Sequence, residues 1–195
     1  MMEERQTTQL AVPVTERDHI QGPPTAPVTV VEYGDYECPD CGEAYDAVKQ
    51  LQNEFGDKVR FVFRNFPIPE SHPHAEEAAE AAEAAAEQGK FWEMHDTLYE
   101  HQKDLDDEHL MAYARILSLT PEEFERDLEE HSQRVRVLED LASGLESGVE
   151  GTPTFFINGT RYAGPYDLAN LRDAITRARG RSDTRGCSPP LQGAP

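Results

Sequence analysis

Cys38-Pro39-Asp40-Cys41, directly after the apolar run Val28-Thr29-Val30-Val31-Glu32-Tyr33, is the stretch on which the reading of this chain turns. Two thiols three positions apart, where a strand hands over to a helix, can close a small disulfide. The start of a helix carries partial positive charge and unsatisfied N–H groups, so it favours the thiolate of Cys38. That placement makes the pair a candidate redox centre.

Outward from it, the composition narrows the options. A chain of 195 residues is most simply one domain with room for an insertion. Its net charge of -20 opposes binding to nucleic acid, because nothing here would neutralise phosphates, and it disfavours anionic membranes. A mean hydropathy of -0.70 fits a soluble globular protein. The first residues lack a basic region followed by an apolar run, and no stretch reaches the roughly 18 apolar residues of a membrane helix. The expectation is a cytoplasmic protein, with export of a processed form left open. Three cysteines are too few for a disulfide scaffold, so a CxxC here reads as catalytic.

Residues 1–20 are polar and without period, and read as a flexible lead-in. Gly22-Pro23-Pro24 precedes a strand over about 27–33. After the CxxC, Ala44, Val48, Leu51 and Phe55 share a helix face, and Gly56 suits the stop. Lys58 to Arg64 alternates polar and apolar residues as a strand does, and Pro67 and Pro69 end it. From His74 to Leu145 the pattern is helical. Ala75 to Glu87 is expected as a solvated helix of high propensity. Thr120-Pro121-Glu122-Glu123 has the form of a capping box, and Val135, Leu138, Ala142 and Leu145 repeat at helical spacing. Pro153 to Ile157 is a strand, Asn158-Gly159 a hairpin turn, and Leu168, Leu171 and Ile175 mark a last helix.

This order resembles the thioredoxin fold, and within it the DsbA-like family, whose helical domain is inserted between the two halves of the motif. The resemblance is carried by Val-Val-Glu-Tyr before the CxxC, Arg64-Asn65-Phe66-Pro67, His72-Pro73-His74-Ala75, Lys90-Phe91-Trp92 and Gly151 to Gly159, and it runs from about residue 20 to 178. It implies an α/β fold divided as lead-in 1–20, first half 21–71, helical insertion 72–148, second half 149–179 and disordered tail 180–195. It implies a protein disulfide oxidoreductase working through its dithiol with no metal or organic cofactor.

The family's roles fall on particular residues. Cys38 is the expected exposed nucleophile, and Cys41, one turn inward, resolves the mixed disulfide. Pro153 aligns with the cis-proline beside the redox pair; an ordinary trans proline starting a strand is the plain alternative. Thr152 before it is expected to offer its backbone to an extended substrate and its hydroxyl to Cys38. Glu32, six residues before Cys38, takes the place of a buried acid that exchanges a proton with Cys41, with a solvated glutamate as the alternative. A structural zinc half-site completed by His72 and His74 competes with the redox reading, but a closed zinc site needs four ligands and no second CxxC exists.

Pro39 and Asp40 are expected to tune the potential. Strong DsbA oxidants carry histidine where this chain has Asp40, whose negative charge should destabilise the Cys38 thiolate and make the disulfide less oxidising. A reductase or exchange protein acting on protein or small-molecule thiols and disulfides is therefore expected, a monomer with an electron partner that the sequence does not identify. A disulfide isomerase and a peptide-binding module with a structural disulfide are the competing readings. Trp92 reads as helical core, and Cys187 as an incidental thiol in the tail.

Overall fold

The computed structural model describes residues 9–185. Its centre is a five-stranded mixed sheet in the order β1-β3-β2-β4-β5, with β1 His19–Gln21, β2 Val28–Gly34, β3 Val59–Asn65, β4 Thr154–Ile157 and β5 Thr160–Arg161. β2 and β3 run parallel, with Val28 opposite Val59 and Glu32 opposite Phe63. A parallel pair needs a long crossover, supplied here by α1, Pro39–Phe55. β4 then returns antiparallel to β2, with Glu32 opposite Phe155. This is the thioredoxin fold with a helical insertion.

Between β3 and β4 lie the helices of that insertion: α2 Ala75–Glu87, α3 Phe91–Glu100, α4 Asp107–Ile116, α5 Pro121–Glu129 and α6 Arg134–Glu146. A final helix, α7 Leu168–Arg185, packs beside α1. Because successive side chains of a strand point to opposite faces, β2 serves two cores. Val28 and Val30 join α1, α7 and the helical block, while Val31 and Tyr33 join Val62, Phe66, Val149 and Phe156 on the other side. Glu32 falls on the first face. Among the described residues no helix is long and apolar enough to cross a membrane.

Several expectations need correcting. Residues 9–20 are not a loose lead-in. Leu10 and Val14 pack on the second core, Gln9 bridges to Thr160, and Arg64 binds Asp18 at 2.7 Å with both side chains nearly buried. The helix after residue 168 runs on to Arg185, past the expected end at 179. Residues 1–8, the tail beyond 185 and Cys187 lie outside the described residues. Thr120 caps α5 without a side-chain bond, and its N–H, which the glutamate of a capping box would bind, is taken by Gln88 Oε1 at 2.7 Å.

The burial of two helices differs from what their sequence pattern suggests. α2 is not solvated: nine of its residues are buried, since alanines let its neighbours close around it. Its Glu83 is held by Asn65 Nδ2 at 2.7 Å and by His19, and its Glu80 by His131. On α6 the stripe Val135, Leu138, Ala142 and Leu145 faces solvent, while Val137, Asp140, Ser143 and Gly144 face inward. A Cβ on Gly144 would stand 2.6 Å from the Phe66 ring, so the small residues let α6 lie directly on the sheet. Replacing Gly144 by alanine gains up to ~1 kcal/mol of helix propensity, but overpacking costs ~1–3 kcal/mol. A net destabilisation of about 1–2 kcal/mol is expected, measured by urea unfolding.

Candidate active site

Cys38 is the N-cap of α1, with Pro39 in the first helical turn. Proline has no N–H to leave unsatisfied there and its φ suits the helix. Cys38 and Cys41 are both free thiols. Cys38, expected to be exposed, is only 6% accessible, and Cys41 is fully covered, so Cys38 is the more accessible of the two sulfurs. The environments push the two thiols apart. Cys38 is lowered to about 6, chiefly by the hydrogen bond from Cys41; burial opposes the shift, and the N–H groups of Cys41 and Asp40 assist it. Burial, followed by the bond to Cys38 and the charge of Glu32, drives Cys41 well upward. One sulfur is ready to attack at neutral pH and the other keeps its proton.

The second half of the motif meets this pair at Thr152. The Thr152–Pro153 peptide bond is cis, and the Thr152 carbonyl accepts from the Cys38 thiol at 3.4 Å. The expected hydroxyl contact is looser. Thr152 Oγ1 lies near enough to favour the thiolate but is aligned with no partner as a hydrogen bond. Asp40 is exposed and turned toward Tyr166. The Cys38 thiolate is favoured beside it because the donors to the sulfur act at contact, while the Asp40 carboxylate is exposed and solvated.

Glu32 lies beneath the pair, 2% exposed and set between Phe63 and Phe155 in the sheet register. Burial, with the Cys38 charge second, raises its carboxyl to about 8. Oε1 has no protein partner, so nothing offsets the loss of water around the charged form.

Three neighbours, Asp35, Gln102 and Tyr99, had no signal in the sequence analysis, and a fourth, His72, takes another role than metal ligand. Asp35 accepts bonds within the loop that carries Cys38 and from the segment after β3. His72 binds Asp35 through Nδ1 at 2.8 Å. Among the described residues no group of three or more potential ligands is spaced to hold a metal. Gln102, from the helical block, donates to the carbonyls of Tyr36 at 2.8 Å and Cys38 at 2.9 Å and so holds the CxxC loop. Tyr99 reaches over Gly34, where an added Cβ would come within 2.8 Å of its hydroxyl. That hydroxyl is buried without a partner, and burial, then Cys41 and Glu32, raises its pKa.

A covered dithiol with one acidic and one reluctant sulfur, set at a helix start against a proline loop on a thioredoxin sheet, has the make-up of a thioredoxin-type redox site. Residues 14–177 match the family model described as thioredoxin. A thioredoxin-like oxidoreductase from Silicibacter pomeroyi DSS-3 is 31% identical and superposes with a TM-score of 0.75 over 85% of this chain and 94% of that one. Oxidised BdbD from Bacillus subtilis is 27% identical, with a TM-score of 0.75 over 83% and 92%. The chain belongs to the thioredoxin family. It is also 49% identical over 170 residues to Na(+)/H(+) antiporter NhaA 1 of Salinispora arenicola, covering 87% of this chain and 26% of that protein. It thus spans about a quarter of the length of the curated relatives it matches.

Proposed function

We propose that the chain exchanges disulfides with protein or small thiol substrates through Cys38 and Cys41, and that it works as a reductase or exchange protein rather than a strong oxidant. The observation that carries this is the split between the sulfurs: Cys38 lowered to about 6 and Cys41 pushed well up. In the reducing direction the Cys38 thiolate attacks a substrate disulfide, forming a Cys38–substrate bond and releasing one substrate thiolate, which takes a proton from solvent. Cys41 gives its proton to the Glu32 carboxylate and attacks the sulfur of Cys38. The Cys38–Cys41 disulfide forms and the second substrate thiolate leaves. The substrate gains two electrons and the protein loses them.

In this reading Thr152 and Pro153 form the rim on which an extended substrate segment lies, and the Thr152 backbone offers it hydrogen bonds. Pro39 and Asp40 tune the pair through the geometry of the first turn and through charge. A thiol near 6 is less acidic than the ~3.5 of a strong oxidant and close to the ~7 of thioredoxin, which favours a moderate potential. A reducing compartment such as the cytoplasm suits that poise.

The test is the equilibrium of the Cys38–Cys41 pair with glutathione, together with insulin reduction. The expected potential lies nearer to about -270 mV than to about -120 mV. A value near about -120 mV would reverse the assigned direction, and peptide binding with no turnover would leave only a clamp.

A further inference from the structure

The segment between β3 and α2 lies against the loop that carries Cys38, and one buried carboxylate joins them. Asp35 is 1% exposed, and its backbone carbonyl accepts from the N–H of Cys38 at 3.2 Å. Its side chain accepts three bonds: from the N–H of Glu37 at 2.8 Å, from the N–H of Ile68 at 2.9 Å and from Nδ1 of His72 at 2.8 Å. Three short bonds fix that carboxylate in place. An ionised carboxylate only accepts, so Nδ1 of His72 carries a hydrogen and Nε2 is the position that gains or loses a proton. The His72 side chain is 18% exposed and that of Asp35 fully covered, so solvent can reach the ring but not its anchor.

The groups whose charges bear on His72 are Asp35 and Glu37, from the loop after β2, and Cys38 at the head of α1. All three are negative when ionised. Glu37 is itself held by the N–H of His74 at 2.7 Å, so it stays at the site. Burial disfavours a charged ring, but the bond and charge of Asp35 outweigh it, and Cys38 and Glu37 add to them, so the imidazolium is favoured.

We propose that His72, anchored by Asp35, is a positioning residue that supplies the cation for the Cys38 thiolate from a loop outside the CxxC, where the dipeptide between the cysteines carries Asp40 instead. The proposal rests on the exchange reading above. A cation near the sulfur stabilises the reduced form and makes the disulfide the stronger oxidant. The coupling is reciprocal: the thiolate holds a proton on His72, and closing the disulfide releases that hold.

The test uses the wild-type chain first. The His72 ring is titrated by NMR in the dithiol form and in the disulfide form made with a small oxidant. Its midpoint should fall by about one unit on oxidation; equal midpoints in the two forms overturn the proposal. His72→Gln, which keeps a hydrogen-bond donor and removes the charge, should raise the Cys38 midpoint followed by thiolate absorbance. It should also shift the equilibrium with glutathione about tenfold toward the protein disulfide, about 30 mV more reducing. A folded variant with an unchanged Cys38 midpoint and equilibrium overturns the proposal, and if the variant does not fold the wild-type titration still decides. A wild-type chain that does not exchange with glutathione overturns the exchange reading and this inference with it; one that exchanges yet shows no coupling overturns this inference alone.

Discussion

Serine in place of Cys41 should turn a turnover catalyst into a trap. The Cys38 sulfur keeps its place at the helix start and the backbone donors that lower its pKa, so attack on a disulfide continues. Serine also retains a hydroxyl that can replace the bond from Cys41, the largest contribution to the acidity of Cys38. Alanine cannot, so Cys41→Ala should both trap and attack more slowly. The resolving step is lost in either variant. An intramolecular thiol acts at an effective concentration of ~10⁵ M or more, which no millimolar external thiol approaches. Steady-state insulin reduction should fall at least about a thousandfold, while mixed disulfides accumulate on non-reducing gels and in mass spectra. Turnover within tenfold of wild type would mean that Cys41 does not resolve.

Glu32→Gln should separate function from stability in opposite directions. The carboxyl lies near 8 in the folded chain against 4.5 when free. An acid whose folded pKa is raised binds more protons folded than unfolded, so stability falls as pH rises between those values. At 1.36 kcal/mol per pKa unit the wild-type chain loses up to roughly 4–5 kcal/mol across that window. Glutamine has no such titration. The variant should therefore gain on wild type progressively from pH 5 to 8, read by urea unfolding of both redox forms. The gain should be smaller in the disulfide form, because the Cys38 charge that adds to the shift is absent there. Resolution of the mixed disulfide should slow about a hundredfold, the ordinary worth of a placed proton acceptor. Unchanged kinetics with a pH-independent stability difference would remove Glu32 from the reaction.

The motif, the strands around it and the helical block were legible in the sequence because each rests on local chemistry: a thiol pair at a turn, alternation, and runs of helix formers. The orientation of α6 was not. Its period of 3.6 gives two faces, one apolar through Val135, Leu138 and Leu145 and one small and polar through Asp140, Ser143 and Gly144. Only the ring of Phe66 beneath Gly144 shows why the small face is the inner one. The burial of α2 has the same origin, since a helix of alanine and glutamate looks solvated until Asn65, His19 and His131 are seen to hold its acids. At the site, Glu32, Cys38, Cys41, Thr152 and Pro153 were named by position relative to a motif. Asp35, only three residues from Cys38, escaped notice because its partners Ile68 and His72 are 33 and 37 residues away. Gln102 reaches the site from the helical block across longer gaps, 66 residues to Tyr36 and 64 to Cys38, and Tyr99 comes to Gly34 from the same block.

Tyr99 lying over Gly34 puts part of the roof of the redox pocket on a lobe that the thioredoxin half does not encode. The raised pKa of Glu32 is then a property of two lobes held shut. If the lobes part by one water diameter, the carboxyl reverts to an ordinary glutamate and the proton reservoir empties. On heating, proton transfer to and from Cys41 should therefore fail at the first opening between the lobes, before the sheet itself melts.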